Sequence, residues 1–263
     1  MQQNPLKITI LNDNLAGRWC RAEHGLSYLI EADRTILFDT GASELISYNA
    51  QILNIDLQKI ETIVLSHGHD DHTGGLMLFS GNKLICHPDT FLKRYRKQNY
   101  TALGIRWDED EIASKFELQT SRHPIQLSDQ IFFLGEIPRI NDFESKKTAF
   151  QKVDGTDDFV MDDSGLAIVT HKGLVIVSGC AHSGICNMIT YAIKVTGINK
   201  VHLVIGGFHL QNDDGITQST IDWMKAMNVE QVIPSHCTSF AAQVAIYKSY
   251  RFIPAKSGNV IEI

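Results

Sequence analysis

The feature that most constrains this chain is the run Ser66-His67-Gly68-His69-Asp70-Asp71-His72. It follows Thr62–Leu65, a short apolar stretch of the kind that makes a buried strand. His67 and His69 are two apart in extended chain, and alternate residues of an extended chain project to one side. Asp71 and His72 follow where the chain turns towards a helix expected over Thr73–Phe79, and they face the same cavity from the other direction. Three imidazoles and a carboxylate cannot be buried together cheaply without a cation or hydrogen-bond partners. Nitrogen and oxygen donors of this kind suit zinc first, with manganese, iron or magnesium as further candidates. Because the donors come as two pairs, a site for two divalent transition metal ions is favoured over one closed tetrahedron.

Around this run the chain reads as strands in blocks, interrupted by helices, in two similar halves. Strands are expected at Leu6–Leu11, Ser27–Ala32, Thr35–Phe38, Thr62–Leu65, Lys83–Cys86, Ile131–Leu134, Gly165–Thr170, Leu174–Ser178, Val201–Ile205, Gln231–Pro234 and Asn259–Ile263. Helices are expected at Ser43–Leu53, with Ser43 as N-cap, and at Ile185–Val195, Thr217–Met227 and Phe240–Tyr247. Two sheets packed face to face with helices on their outer faces fit this order. The expectation is one α+β domain over residues 1–263, with an inserted, lid-like segment at about 88–125. Within that segment Lys93, Arg94, Arg96 and Lys97 read as a solvated helix face rather than an anion site.

Composition narrows the classes. The net charge of -6 gives no basic surface for nucleic acid. No apolar run is long enough for a membrane span. Met1–Leu11 reads as a first strand rather than a signal peptide. Five scattered cysteines do not make a disulfide framework, and a reducing cytoplasm is the expected location. The expected partner is a small-molecule substrate, phosphorylated or not; the sequence leaves the oligomeric state open.

The stretch Ser66–Leu76 resembles the metal-binding signature of the metallo-β-lactamase superfamily, and Leu37-Phe38-Asp39-Thr40-Gly41 resembles its structural aspartate motif. The stretches Glu23–Ser27, Gly135–Arg139, Ser178–Ile185, Gly206–Leu210 and Pro234–Thr238 are similar to one branch. That branch contains the dihydropterin–ribofuranosyl-aminobenzene phosphate synthases and many relatives described as metal-dependent hydrolases. The resemblance implies a four-layer αββα sandwich and a binuclear centre.

It also implies roles for later residues. His182 and His236 join His67, His69, Asp71 and His72 as ligands. Asp39 orients a ligand histidine from outside the ligand set. Cys180 stands where the common pattern has an aspartate. It is either a thiolate ligand or a small packing residue. The second is expected, since His182 offers a ligand from the same turn. His209 is read as a proton donor or a substrate contact rather than a ligand, and His24, Glu136 and Arg139 as substrate contacts on the cavity rim.

Three functions follow in order. The first is a metal-dependent hydrolase in which a metal-activated water attacks a phosphoester, lactone or thioester, with Asp71 and His209 catalytic. The alternative is a transferase resembling the synthase, in which diphosphate leaves a pterin methyl donor as an aromatic carbon attacks. The third is a non-catalytic metal-binding protein.

Overall fold

Alternation along the strands decides how the layers stack. In the computed structural model, which describes residues 4–263, the first half contains β1 (Lys7–Asn12), β2 (Ser27–Glu31), β3 (Thr35–Phe38), α1 (Leu45–Ile52), β4 (Thr62–Val64), α2 (Asp70–Thr73) and β5 (Lys83–Cys86). There follow β6 (Arg94–Arg96), α3 (Glu109–Lys115), β7 (Glu117–Thr120), β8 (Ile125–Gln126), β9 (Ile131–Phe133), β10 (Phe150–Lys152) and β11 (Asp157–Asp158). The second half contains β12 (Gly165–Thr170), β13 (Gly173–Ser178), α4 (Ile185–Thr196), β14 (Val201–Gly207), α5 (Gly215–Ala226), β15 (Gln231–Ser235), α6 (Phe240–Ser249) and β16 (Val260–Glu262). Of the stretch 1–11 expected to hold the first strand, residues 1–3 lie outside the described residues.

Seven strands form one sheet in the order β16-β1-β2-β3-β4-β5-β7, and six form another in the order β15-β14-β13-β12-β9-β8. Ile36, Phe38 and Val64 from the first sheet share a core with Leu166, Ile168, Val175, Val177 and Ile205 from the second. Their neighbours in sequence point the other way. Leu37 and Ile63 pack with Ile46 of α1 and Ile112 of α3, while Ala167, Ile176 and Val204 pack with α4, α5 and α6 through Ile189, Ile221 and Ile246. Three apolar interfaces between four layers make the αββα sandwich.

Both sheets contain parallel runs, β3-β4-β5-β7 and β13-β14-β15. Side chains placed just beyond the carboxyl ends of parallel strands can converge at one edge of such folds. The residues following β3, β4, β13, β14 and β15 are Asp39, Leu65 to His69, Gly179 to His182, Phe208-His209 and His236. Among them Asp39, Ala181, His209 and His236 hold φ of 57, 52, 50 and 48°. Backbone of this kind costs about 1–3 kcal/mol per residue and persists where surrounding contacts over-determine it.

Two local expectations change. The helix expected over Thr73–Phe79 is instead the single turn of α2 followed by a 3-10 turn at Gly74–Leu78. A Cβ on Gly74 would lie 2.0 Å from the Ala42 carbonyl oxygen, so this turn packs backbone to backbone against the 40–43 loop. The segment expected as an insertion is divided. Its β7 extends the first sheet, while β6 pairs with β10, which also pairs with β11, in a separate three-stranded sheet over the site. The second wall of that cover comes from residues 141–162, which carry no pattern that marks them.

Candidate metal centre

The cover is tied to the histidine loop by backbone. Asp70 N–H donates to Leu103 O and Ile105 N–H to Gly68 O. Arg94, expected on a solvated helix face, is instead in a strand and fully buried. Its guanidinium pairs with Asp158 at 3.2 Å and Asp162 at 2.8 Å, and Asp162 accepts from the Gly68 N–H. This buried cluster fixes the backbone between His67 and His69.

The imidazole orientations follow from what their second nitrogens do. Asp39 accepts from Ser66 N–H and Ser66 Oγ, both at 2.7 Å, and from His72 Nδ1 at 2.7 Å. Since the Ser66 hydroxyl donates to Asp39, it accepts from His67 Nδ1 at 2.8 Å. Both His67 and His72 therefore turn Nε2 inward, the nitrogen that is left to bind a metal ion once it carries no proton. His67 Nε2 lies 2.9 Å from His69 Nδ1. The rings of His67 and His69 lie 4.9 and 5.0 Å from that of His182. The Nε2 atoms of His69 and His182 are buried with no hydrogen-bond partner among the described residues. The main chain at His182 is set by Asp163, whose carboxylate accepts from the His182 and Ser183 N–H groups.

The second group is built around Asp71. Its Oδ2 lies 3.3 Å from His236 Nε2, 3.8 Å from His72 Nε2 and 3.2 Å from His24 Nε2. Asn14, on the irregular chain after β1, sets two tautomers. It accepts from His236 Nδ1 at 3.0 Å and donates to His24 Nδ1 at 3.1 Å. His236 Nε2 is thereby a lone pair, whereas His24 Nε2–H donates to Asp71. Cys180 lies 3.2 Å from His72 Nε2 through its Sγ.

The ligand atoms within each of the sets His67-His69-His182 and His24-Asp71-His236 lie within 4.8 Å of one another, as do those of His67-His72-Cys180 and Cys180-His236-Cys237. Unprotonated nitrogens, a carboxylate and a thiol converge with few protons between them. That donor set fits transition metal ions.

Without a cation, burial holds His67, His69 and His182 well below the ordinary histidine range and brings His236 down to about 4. Burial also opposes charge on His72, but Asp71 and Asp39 outweigh it and raise that group to about 9. Burial disfavours the Asp71 carboxylate too, yet His72, His236 and His24 hold it well below the usual range.

A cavity of about 540 Å³ opens over these groups, lined by His24, His69, Asp71, His236, Cys180 and Arg96 among others. His209 lies on its wall with its ring 4.4 Å from that of His182, and burial lowers its pKa. Arg96 stands opposite Phe150 in the β6–β10 register and its exposed side chain lines the cavity. Lys93 and Lys97 are solvated as expected, and the strand β6 replaces the helix expected for this run. Two residues expected on the rim do not line the cavity. Glu136 is taken by Arg122 at 2.8 Å and His87 at 3.2 Å. Arg139 gives its guanidinium to the carbonyls of Phe159 and Val160 and to Ser145 Oγ, so it braces the cover rather than a substrate.

Residues 20–86 match the model of the metallo-β-lactamase superfamily. The chain is 38% identical to 7,8-dihydropterin-6-methyl-4-(β-D-ribofuranosyl)-aminobenzene-5'-phosphate synthase of Methanocaldococcus jannaschii, over 98% of this chain and 96% of that one. It is 34% identical to an uncharacterized protein of the same organism, over 97% of this chain and 100% of that one. Among solved structures it is similar to a metal-dependent hydrolase of the β-lactamase superfamily, at 26% identity and a TM-score of 0.88, covering 98% of this chain and 99% of that one. No helix among the described residues is long and apolar enough to cross a membrane. The chain belongs to the metallo-β-lactamase superfamily of metal-associated enzymes, in the branch that contains this synthase.

Proposed function

We propose that this enzyme is a metal-dependent transferase that couples two small molecules, at least one of them phosphorylated, as the name of its 38%-identical relative describes. The observation that carries this reading is a pair of adjoining cavities. Beside the 540 Å³ cavity lies a second of about 230 Å³, and the two share Ala149, Phe150, His182 and His209. A coupling reaction needs two partners on either side of the reacting atoms, whereas hydrolysis needs one partner and water. Phe143, Phe159 and Phe208 line the second cavity and suit a flat ring, with Lys146 and Lys147 available to a phosphate.

His67, His69 and His182 would hold one metal ion, and Asp71, His72 and His236 the other. The bound ions supply a Lewis-acid contact for an anionic oxygen of the leaving group. Arg96 offers a guanidinium to a phosphate in the larger cavity. His209, neutral because it is buried, is placed to take the proton that the attacking aminobenzene loses on coupling. Phe150 packs against the rings of His69 and His182 at 4.8 and 5.4 Å and keeps water from that side.

A hydrolytic reading is favoured by the likeness to the hydrolase structure and ranks second, since the synthase is the more similar in sequence. The test incubates zinc-loaded enzyme with a dihydropterin bearing diphosphate on its 6-methyl group, with ribofuranosyl-aminobenzene 5'-phosphate, and with both. Diphosphate release that requires both, with the coupled product found by mass spectrometry, is expected. Release from the donor alone at the same rate favours hydrolysis and overturns the transferase reading.

A further inference from the structure

We infer that the 230 Å³ cavity is the subsite of the phosphorylated aromatic acceptor, with Lys147 selecting its phosphate, an assignment that rests on the transferase reading. Phe208 and Leu210 are buried on its inner wall, and Phe143 and Phe159 are half-buried beside them. Ile216 is exposed at its mouth. Aromatic walls of this kind hold a flat ring through offset and edge contacts and ask no hydrogen bonds of it.

The carboxylate in this cavity decides against a pterin. A pterin presents an amino group and a ring N–H side by side, an edge that a free carboxylate matches with two hydrogen bonds. Glu144 lines the smaller cavity, but neither of its oxygens is free. It accepts from Cys186 N–H at 2.9 Å and Asn187 N–H at 3.0 Å, in the first turn of α4, and from Asn141 Nδ2. A Cβ on Gly184 would lie 2.3 Å from Glu144 Oε2, so the carboxylate is packed directly against the backbone there. The larger cavity instead has the half-buried Asp70 on its wall, besides Arg96 for a diphosphate. The pterin donor therefore falls to the larger cavity and the single ring of the acceptor to the smaller.

Lys147 is the cation left for the acceptor's phosphate. Lys146 gives its ammonium to the Asn141 carbonyl at 2.7 Å, whereas Lys147 has no ion-pair or hydrogen-bond partner among the described residues. The backbone that carries it is held on both sides. Ser145 Oγ accepts from Arg139 Nε, Thr148 Oγ1 donates to the Asp158 carbonyl, and Lys97 N–H donates to the Ala149 carbonyl. In the proposed acceptor the ribosyl phosphate and the amino group lie across the ring from each other. A ring seated among the phenylalanines can therefore reach Lys147 with its phosphate while its amine meets the shared wall at His209. The competing reading is a solvent-filled gap behind the cover that selects neither ring nor phosphate.

Binding of ribofuranosyl-aminobenzene 5'-phosphate to zinc-loaded enzyme, with no donor present, is compared with binding of its dephosphorylated form. The wild type is expected to bind the phosphorylated compound more tightly. Lys147→Ala should raise its Kd about tenfold and leave the dephosphorylated compound within about twofold, whereas Phe159→Ala should weaken both alike. Lys152→Ala, on β10 but outside both cavities, should change neither. Equal wild-type affinity for the two compounds, or a Lys147→Ala protein that binds both as the wild type does, would overturn the assignment. Selective binding that Lys147→Ala abolishes, with no coupled product when donor is added, sinks the transferase reading and leaves the subsite standing. Coupled product formed with an acceptor KM that Lys147→Ala does not move sinks the subsite alone.

Discussion

His72 and His236 face each other through Nε2 atoms 3.1 Å apart, although each already has its Nδ1 engaged, one by Asp39 and the other by Asn14. Only a cation relieves the repulsion of two lone pairs at that distance, either the proton that His72 keeps in metal-free protein or a metal ion that displaces it, so metal binding is coupled to the stability of the fold. Exhaustive chelation is expected to lower Tm, and zinc to restore it. At a free ion concentration 100 times Kd the gain is about 2.7 kcal/mol per site. His236→Ala should bind one ion fewer and show a smaller chelation effect than the wild type. An unchanged Tm on chelation of the wild type would contradict this coupling.

Asp39 gathers three hydrogen bonds from Ser66 and His72 while fully buried, and none of its atoms touches the cavity. Asp39→Asn keeps a side chain that tolerates the left-handed backbone at this position. It loses an acceptor for His72 Nδ1, and metal affinity is expected to fall by about 10–100-fold. Competition with a colorimetric chelator measures it. Affinity within twofold of the wild type would show that Asp39 does not orient the ligand.

In metal-free protein the pH dependence has two limbs. His67, His69 and His182 lie well below the ordinary histidine range in the folded chain, and His236 at about 4. Below pH about 6.5 the unfolded chain therefore binds protons that the folded chain refuses, and stability falls as pH falls. Asp13 and Asp163, raised by burial to about 6, and Asp70 and Glu144, raised by burial as well, act in the opposite sense. These four oppose six histidines once His87 and His209, also lowered by burial, are included. His72, raised to about 9 by Asp71 and Asp39 despite its burial, contributes stability below 6.5 that is lost as pH rises towards 9. Denaturant midpoints of chelated protein across pH 4–10 should peak near neutrality. A midpoint that rises steadily down to pH 4 would be incompatible with neutral buried imidazoles.

Arg94 is the one cation of a buried cluster that spans the cover and the histidine loop. Arg94→Met leaves Asp158 and Asp162 buried without it and is expected to cost about 3–5 kcal/mol. The loss should concentrate in the cover, so hydrogen exchange at residues 94–105 and 150–162 should accelerate more than in β12–β14. Uniform acceleration across both sheets would argue against a local role.

Arg96 and His209 both line the large cavity, and neither falls within a ligand set. Arg96→Ala is expected to raise KM for a phosphorylated substrate about tenfold with little change in metal content, equivalent to about 1.4 kcal/mol of lost binding. His209→Ala should lower kcat by about 10²–10⁴-fold with both metals retained. Loss of metal in His209→Ala would make it a ligand instead.

Much of the centre was legible in the residues between His67 and His72. Their spacing after a buried strand forces imidazoles and a carboxylate to one sheet edge whatever the rest of the chain does. The period-2 alternation in β3, β12 and β13 likewise fixes which side chains meet between the sheets and which meet the helices. Those are local properties, set by backbone periodicity and by the cost of burying polar groups. Partners remote in sequence were not legible. Asn14 reaches His236 across 222 positions, and nothing around Asn14 marks it as the residue that sets two tautomers. Arg94 and Arg96 look alike as a basic run, yet the strand they form sends one into a buried ion cluster and the other into the cavity. Glu136 and Arg139 sit at a strand end, as the sequence indicates, but which way a strand-end side chain points depends on what has packed against it. There Arg122 and the carbonyls of Phe159 and Val160 compete successfully for their charges. The sequence by itself determined the donor types and the layers. Tertiary structure decided which nitrogen each imidazole turns inward and which charges remain free for a substrate, because hydrogen-bond partners are allotted only once distant segments close on one another.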